Sequence, residues 1–426
     1  MEIRKGPAIT GMSSLTGILV WVILPALASQ GQEWTRFRGP NGQGISSAKT
    51  IPVKWTQDDY NWKVELPGGG HASPVVWADK VFVTSGDQKA GQGILLALHV
   101  SDGRVLWRQD YALARYHVNT LNSYATPTPA VDADHVYALW PTTKETTLVA
   151  LDHEGHEVWK RTFEGVQNQH GAGSSPIVID DLVVFTLEHE NKSTDAKSAW
   201  IAVNRKNGQT HWRRERQTSD KTSYSTPCVY SHDNKPQLIF ASRAHGMTSI
   251  DPYEGTVIWE VPDAFTSRVV ASLVIADELI IGTNGDFGRG KRLIAVRPGS
   301  SDGSVQAREA YKFDDNFMPY CPTCIAKDSL LFMFDDVGYA TCLRSATGEQ
   351  LWRERPAAKF LGSPVWADDK LYCVTATGDV VVVKAAESYE LLAINSLGEK
   401  CHSTPAIADG RMFVRTFSHL FSVGSN

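Results

Sequence analysis

A glycine followed four residues later by a tryptophan recurs along this chain, at Gly103 and Trp107, Gly155 and Trp159, Gly208 and Trp212, Gly255 and Trp259, and Gly348 and Trp352. Two further copies keep the frame with alanine in the aromatic slot: Gly303 to Ala307, and Tyr389 to Ala393. The glycine follows Asp, Glu, Asn or Thr, as in Ser101-Asp102-Gly103. This is hairpin-turn chemistry, in which glycine takes the left-handed conformation at little steric cost. Each copy opens on a Ser/Thr-Pro step leading into an apolar strand, at Pro74, Pro129, Pro176, Pro227, Pro364 and Pro405. Ser272 and Thr323 hold the same slot in degenerate copies, so there are eight openings.

Each repeat reads as four short antiparallel strands with almost no helical periodicity. A single four-stranded sheet cannot bury both faces, whereas repeats of about 40–50 residues arranged radially can, each packing on two neighbours. The eighth copy lacks its last strand, and Asn61-Trp62-Lys63-Val64-Glu65-Leu66-Pro67 supplies a candidate from the other end of the chain. The expectation is an all-β, eight-bladed β-propeller of four-stranded antiparallel blades, closed by an N-terminal strand in the last blade. It would occupy residues 54–426 as one domain, preceded by an extension over 29–53.

Residues 1–28 are of a different kind. Arg4 and Lys5 precede an apolar run from Leu15 to Leu27, and Ala26-Leu27-Ala28 ends it with small residues. This is the pattern of a secretory signal peptide cut after Ala28. The run is shorter than the ~20 residues a spanning helix needs, and no other apolar stretch is long enough. An exported protein is therefore expected, periplasmic or extracellular, without a membrane span after cleavage, and a monomer. The chain is 42% hydrophobic and 21% charged with a net charge of −5. Its charges are interspersed, without the basic stripe that nucleic-acid binding requires.

The third strand, Gly turn and outer Trp, as in Leu95-Leu96-Ala97-Leu98 through Gly103 to Trp107 and Ala340-Thr341-Cys342-Leu343 through Gly348 to Trp352, resemble the pyrroloquinoline-quinone-type propeller repeat. The resemblance runs from about Trp34 onward. That family includes quinoprotein alcohol dehydrogenases and the lipoprotein propeller of the outer-membrane-protein assembly machine. The opening Trp34-Thr35-Arg36-Phe37-Arg38-Gly39-Pro40-Asn41-Gly42 is similar to that of exported planctomycete-type members. The resemblance makes Trp107, Trp159, Trp212, Trp259 and Trp352 docking tryptophans between blades, with Trp62 their counterpart in the closing strand. Packing alone demands the same, since large rings at equivalent outer positions bury ~150–250 Å² each.

Function is expected where the chain runs into each innermost strand, because those loops converge on the central channel. The residues three before the opening slots are His71, Thr126, Gly173, Tyr224, Val269, Tyr320, Leu361 and His402, with Tyr124, His170 and Arg268 in the same loops. The candidate ligand-binding set is His71, Tyr124, His170, Tyr224, Arg268, Tyr320 and His402. Such a mouth suits a small organic ligand, a glycan or a protein side chain; equally, the rings could plug the channel and bond one another. No compact His/Cys spacing or His-Glu-x-x-His marks a metal site, and none is expected. Cys321-Pro322-Thr323-Cys324 sits where an inner strand begins, not at a helix N-terminus that would activate a thiol; buried free thiols or a local staple are expected.

The favoured function is a non-catalytic binding or scaffold propeller with a protein, envelope or glycan partner and no cofactor. The alternative, implied by the resemblance, is a pyrroloquinoline-quinone-dependent alcohol or sugar dehydrogenase with calcium. Such enzymes hold the quinone between a Trp and a disulfide of adjacent cysteines, beside calcium bound by Glu, Asn and Asp. This sequence has no Cys-Cys dipeptide, and no catalytic residue is carried over.

Overall fold

The computed structural model describes residues 1–3, 6 and 33–425, except 172, 191–196 and 233. The apolar run of the expected leader and its cleavage point at Ala28 lie outside the described residues. The chain divides into two units, Met1–Gln30 and Gly31–Asn426, and everything below concerns the second.

Eight four-stranded antiparallel sheets form the second unit. In the first blade the strands are Val75–Trp77, Lys80–Asp87, Gln92–His99 and Val105–Ala112, from the channel outward. The eighth blade takes Ala406–Ala408, Arg411–Arg415 and His419–Gly424 from the C-terminal end, and Tyr60–Glu65 as its outer strand. Trp62 lies opposite Ser422 and Glu65 opposite His419, so the expected closure is present. It removes the sheet edge an open ring would expose. Among the described residues no helix is long and apolar enough to cross a membrane.

The recurrent Trp follows a β-bulge in its outer strand and faces a small residue: Trp107 opposite Ala97, Trp159 opposite Ala150, Trp212 opposite Ala202. Its indole N–H then donates to a carbonyl in the next blade's turn. The bonds are Trp62 to Val100 (2.9 Å), Trp107 to His153 (2.9 Å), Trp159 to Arg205 (2.9 Å), Trp212 to Pro252 (2.8 Å) and Trp352 to Ala386 (3.0 Å). Trp259 departs from this, donating to Gln237 Oε1 of its own blade at 2.9 Å. The next blade's turn is longer and brings Gly299 against that indole instead.

The same longer turn corrects the expected frame Gly303 to Ala307. The docking position of the fifth blade is Tyr311, which follows a bulge, faces Ala295 and donates from its hydroxyl to Ser345 O at 2.6 Å.

Candidate functional site

The Ser/Thr that opens each inner strand carries more than turn chemistry. The backbone N–H of each opening residue donates to the hydroxyl of the next, in the order Ser73, Thr128, Ser175, Thr226, Ser272, Thr323, Ser363, Thr404 and back to Ser73, at 2.9–3.1 Å. These bonds stitch the inner strands into a closed circle. They also satisfy eight backbone donors that face no sheet partner.

All eight hydroxyl-bearing residues line one cavity of about 500 Å³ in the channel mouth. Its inner end is closed by the segment that follows Glu33. Trp34 pairs with Val76 of the first blade, and Gly44 and Ser46 exchange backbone bonds with Trp366 of the seventh. Between them, Asn41 clamps Val229 through its amide, accepting from the N–H and donating to the carbonyl, both at 2.7 Å. Gln43 Oε1 accepts from Ile275 N at 2.9 Å. Arg36 donates to Pro227 O, and Arg38, fully buried, donates to the carbonyls of Gly42, Gln43, Thr323 and Cys324 at 2.8–3.1 Å. Phe37, between the two arginines, lines the cavity. Residues 34–46 thus cap the channel, and the cavity is a cup open on one side.

Above the hydroxyl circle, His71 and His402 stack with ring centroids 4.4 Å apart, and the Nδ1 of each is buried without a hydrogen-bond partner. Burial, then the neighbouring His402 and Arg415, pushes His71 down to about 3. Burial lowers His402 as well. Both imidazoles are neutral at pH 7. Arg268 is almost fully enclosed; it pairs with Glu190 at 3.0 Å and meets His170 Nε2 at 2.6 Å. Burial raises the phenol of Tyr224 above its usual range and takes that of Tyr320 up to about 12. Phe287 sets its ring edge-on to Tyr320 at 5.0 Å. Asp286 pairs with Lys221 at 3.4 Å; burial opposes its ionisation, but the Phe287 N–H and Lys221 hold it below the usual carboxylate value.

Of the candidate residues read from the sequence, His71, His170, Tyr224, Arg268, Tyr320 and His402 come together on this lining. Tyr124 is placed elsewhere: it is buried, stacks on Tyr116 at 4.7 Å, accepts from Tyr116 N at 2.7 Å and donates to Tyr116 O at 3.1 Å. Val269 lies beneath the surface, and its neighbour Val270 reaches the cavity. The sequence reading missed Phe37, Asn119, Thr120, Leu121, Asp286 and Phe287, while Asn122, in the same entry loops as Tyr124 and His170, does line the cavity. It also saw the opening Ser/Thr only as a strand signal, although their recurrence at all eight openings marked a shared role. Cys321 lines the cavity and Cys324 is buried under the cap; both are free thiols, and burial takes each up to about 12. Among the described residues, Asp132, Asp134 and His135 gather outside the cup. Arg205 lies between the two carboxylates, at 3.1 and 2.7 Å, and accounts for that cluster as an ion pair.

Residues 91–310, 323–391 and 341–422 match the family model described as "Outer membrane protein assembly factor BamB". No curated protein sequence matches. Among solved structures, BamB from Moraxella catarrhalis is 12% identical with a TM-score of 0.57, covering 86% of this chain and 98% of its own. A quinohemoprotein alcohol dehydrogenase from Comamonas testosteroni is 13% identical with a TM-score of 0.67, covering 94% and 81%. A europium-containing methanol dehydrogenase is 10% identical with a TM-score of 0.56, covering 92% and 98%. At these identities the likeness is one of fold.

Proposed function

Because this chain belongs to the pyrroloquinoline-quinone-repeat propeller family, whose model is described as the assembly factor BamB, we propose that it is an exported binding propeller without catalytic machinery, whose cup receives a small ligand or the end of a glycan or protein partner. The observation that carries this reading is the capped cavity, with its hydroxyl circle and its tier of imidazole, phenol and guanidinium groups. A blind, partly apolar pocket with a few convergent polar groups is the usual form of a ligand site. At its rim, Leu121 and Phe287 are exposed apolar side chains, and exposed Phe417 packs near His71. They offer a partner apolar contact around the opening.

The dehydrogenase alternative needs a quinone site and a calcium site, and the lining does not fit them. Among the described residues it contains no Trp, and its cysteine, Cys321, has no adjacent cysteine. Its one carboxylate, Asp286, is tied to Lys221, while Glu190 close by is tied to Arg268. A calcium site wants several oxygen ligands with free carboxylate charge.

The test is a titration with pyrroloquinoline quinone and calcium, followed by dye-linked oxidation of alcohols and sugars, beside a binding screen with a metabolite and glycan panel. The expected result is no turnover, and a panel ligand whose binding is lost in His71→Ala, Tyr224→Ala, Tyr320→Ala and His402→Ala. Tight quinone binding with turnover would replace this reading by the enzymatic one. A ligand indifferent to all four substitutions would move the site out of the cup.

A further inference from the structure

Each hydroxyl of the circle accepts one backbone N–H, and among the described residues none of the eight donates to a protein acceptor. A hydroxyl has one hydrogen to give. The circle therefore directs a set of O–H donors toward whatever occupies the cup that these residues line.

Charge behind the circle has the matching sign. Arg36 and Arg38 are buried, and their bonds end on the carbonyls of Pro227 and Thr323, which adjoin or belong to the circle. Arg415, fully buried behind His71, donates to Thr84 O at 2.6 Å and to Ser85 Oγ at 3.2 Å. Among the described residues none of these three guanidiniums has a carboxylate within ion-pair distance: neutral groups surround Arg36 and Arg38, while Arg415 feels Glu399 at longer range. The other buried or half-buried charges near the cup are balanced pairwise: Arg268 by Glu190, Lys221 by Asp286, Lys291 by Asp336. An excess of positive charge thus lies in a low-dielectric wall beside a ring of donors, where an anion gains from both.

We infer that the floor of the cup binds an oxyanion, the carboxylate or phosphoryl end of the ligand, held by the Ser/Thr hydroxyl circle over Arg36 and Arg38. The inference rests on the reading of the cup as a ligand site and adds the chemical class of what enters it.

The experiment uses the full chain and calorimetric titration with citrate, inorganic phosphate and, as the uncharged control, glucose, at constant ionic strength set with sodium chloride. Saturable binding of citrate or phosphate without binding of glucose is expected, and which of the two binds separates the carboxylate from the phosphoryl source. The double substitution Ser175→Ala with Ser363→Ala should weaken it by about a hundredfold, the scale of two charge-assisted hydrogen bonds. If that variant does not fold, the wild type still decides. The bound oxyanion should shift the imidazole resonances of His71 and His402, and glucose should not. Glucose binding as tightly as the oxyanions, with both imidazoles shifted, would overturn the oxyanion assignment and leave the cup standing. Oxyanion binding that moves neither imidazole would place the anion elsewhere and overturn the inference, as would no binding by any of the three. Failure of the cup itself would show instead as panel ligands indifferent to His71→Ala and His402→Ala.

Discussion

Gly155 of the second blade lies flat on the indole of Trp107 of the first: a Cβ at Gly155 would sit 2.7 Å from both Cγ and Cδ2 of that ring, and its φ is +90°. The two residues of the recurrent motif are therefore partners across blades: Gly103, Gly155, Gly208 and Gly255 each meet the tryptophan of the blade before, and Gly348 meets Phe313 and Tyr311 in its place. A side chain there must displace the ring as well as adopt a left-handed backbone. Gly303 isolates the second effect, because its φ is +74° but the nearest foreign atom to its Cβ position is Ile258 O at 3.8 Å. Gly303→Ala should cost about 1–2 kcal/mol from backbone strain alone. Gly155→Ala should cost about 1–3 kcal/mol more. Urea unfolding of the two variants measures the difference, and equal losses would refute the docking role.

Trp159→Ala removes a buried ring and its bond to Arg205 O. A loss of about 3–5 kcal/mol is expected, with ligand affinity unchanged in molecules that remain folded. Tyr311→Phe keeps the ring and deletes only the hydroxyl bond to Ser345 O. It should cost about 1 kcal/mol, so thermal denaturation should rank the two clearly.

Arg38→Met leaves the carbonyls of Gly42, Gln43, Thr323 and Cys324 without their guanidinium donor. A destabilisation of at least about 3 kcal/mol follows from several buried acceptors losing their partner. Protease cleavage after residues 34–46 should become faster in this variant, because the cap loses its anchor to the sixth blade. Unchanged cleavage would mean that the other bonds of the cap, those of Trp34, Arg36, Asn41, Gln43, Gly44 and Ser46, hold it without Arg38.

His71 supplies the acid limb of the stability profile. Its native value of about 3 lies below the ordinary 6.5 of an unfolded imidazole. Between those values the unfolded chain binds more protons than the native one, so stability rises with pH there. The contribution is complete above pH 6.5 and disappears as pH falls toward 3. His71→Gln should make the melting temperature less steeply pH-dependent across this window, and an unaltered slope would show that His71 is not held neutral.

The ring closure predicts a single cooperative unit. Deleting residues 54–68, which contain the strand paired with His419–Gly424, should abolish sharp unfolding of the whole molecule. Retention of one full-amplitude transition would count against it.

The fold was legible because its most regular residues act between neighbouring repeats, so each copy of Gly103 and Trp107 restated the same constraint. The fifth blade was misread at Ala307 because a longer turn moves the aromatic to Tyr311, a shift that fixed spacing cannot register. In the cup, His71, Tyr224 and His402 were legible because each sits two residues before the Ser or Thr that opens its inner strand; Tyr320 lies one residue further back, and His170 and Arg268 were reached as neighbours in the same loops. Tyr124 was assigned with them by proximity in sequence, but stacking on Tyr116 turns it away. The cap was invisible to local reasoning, since Arg38 meets Thr323 and Asn41 meets Val229 at separations of 285 and 188 positions. Nothing in the short motif names partners that far along the chain.

The bond from Thr404 N to Ser73 Oγ joins residues 331 positions apart, and the strand His419–Gly424 that receives Tyr60–Glu65 is made later still. During synthesis the earlier blades must wait on the ribosome with two unpaired flanks, one at each side of a gap. Contacts of such long span form slowly, and exposed strand edges invite pairing with other nascent chains. A protein built this way should depend on chaperones that shield those flanks until its final segment is released.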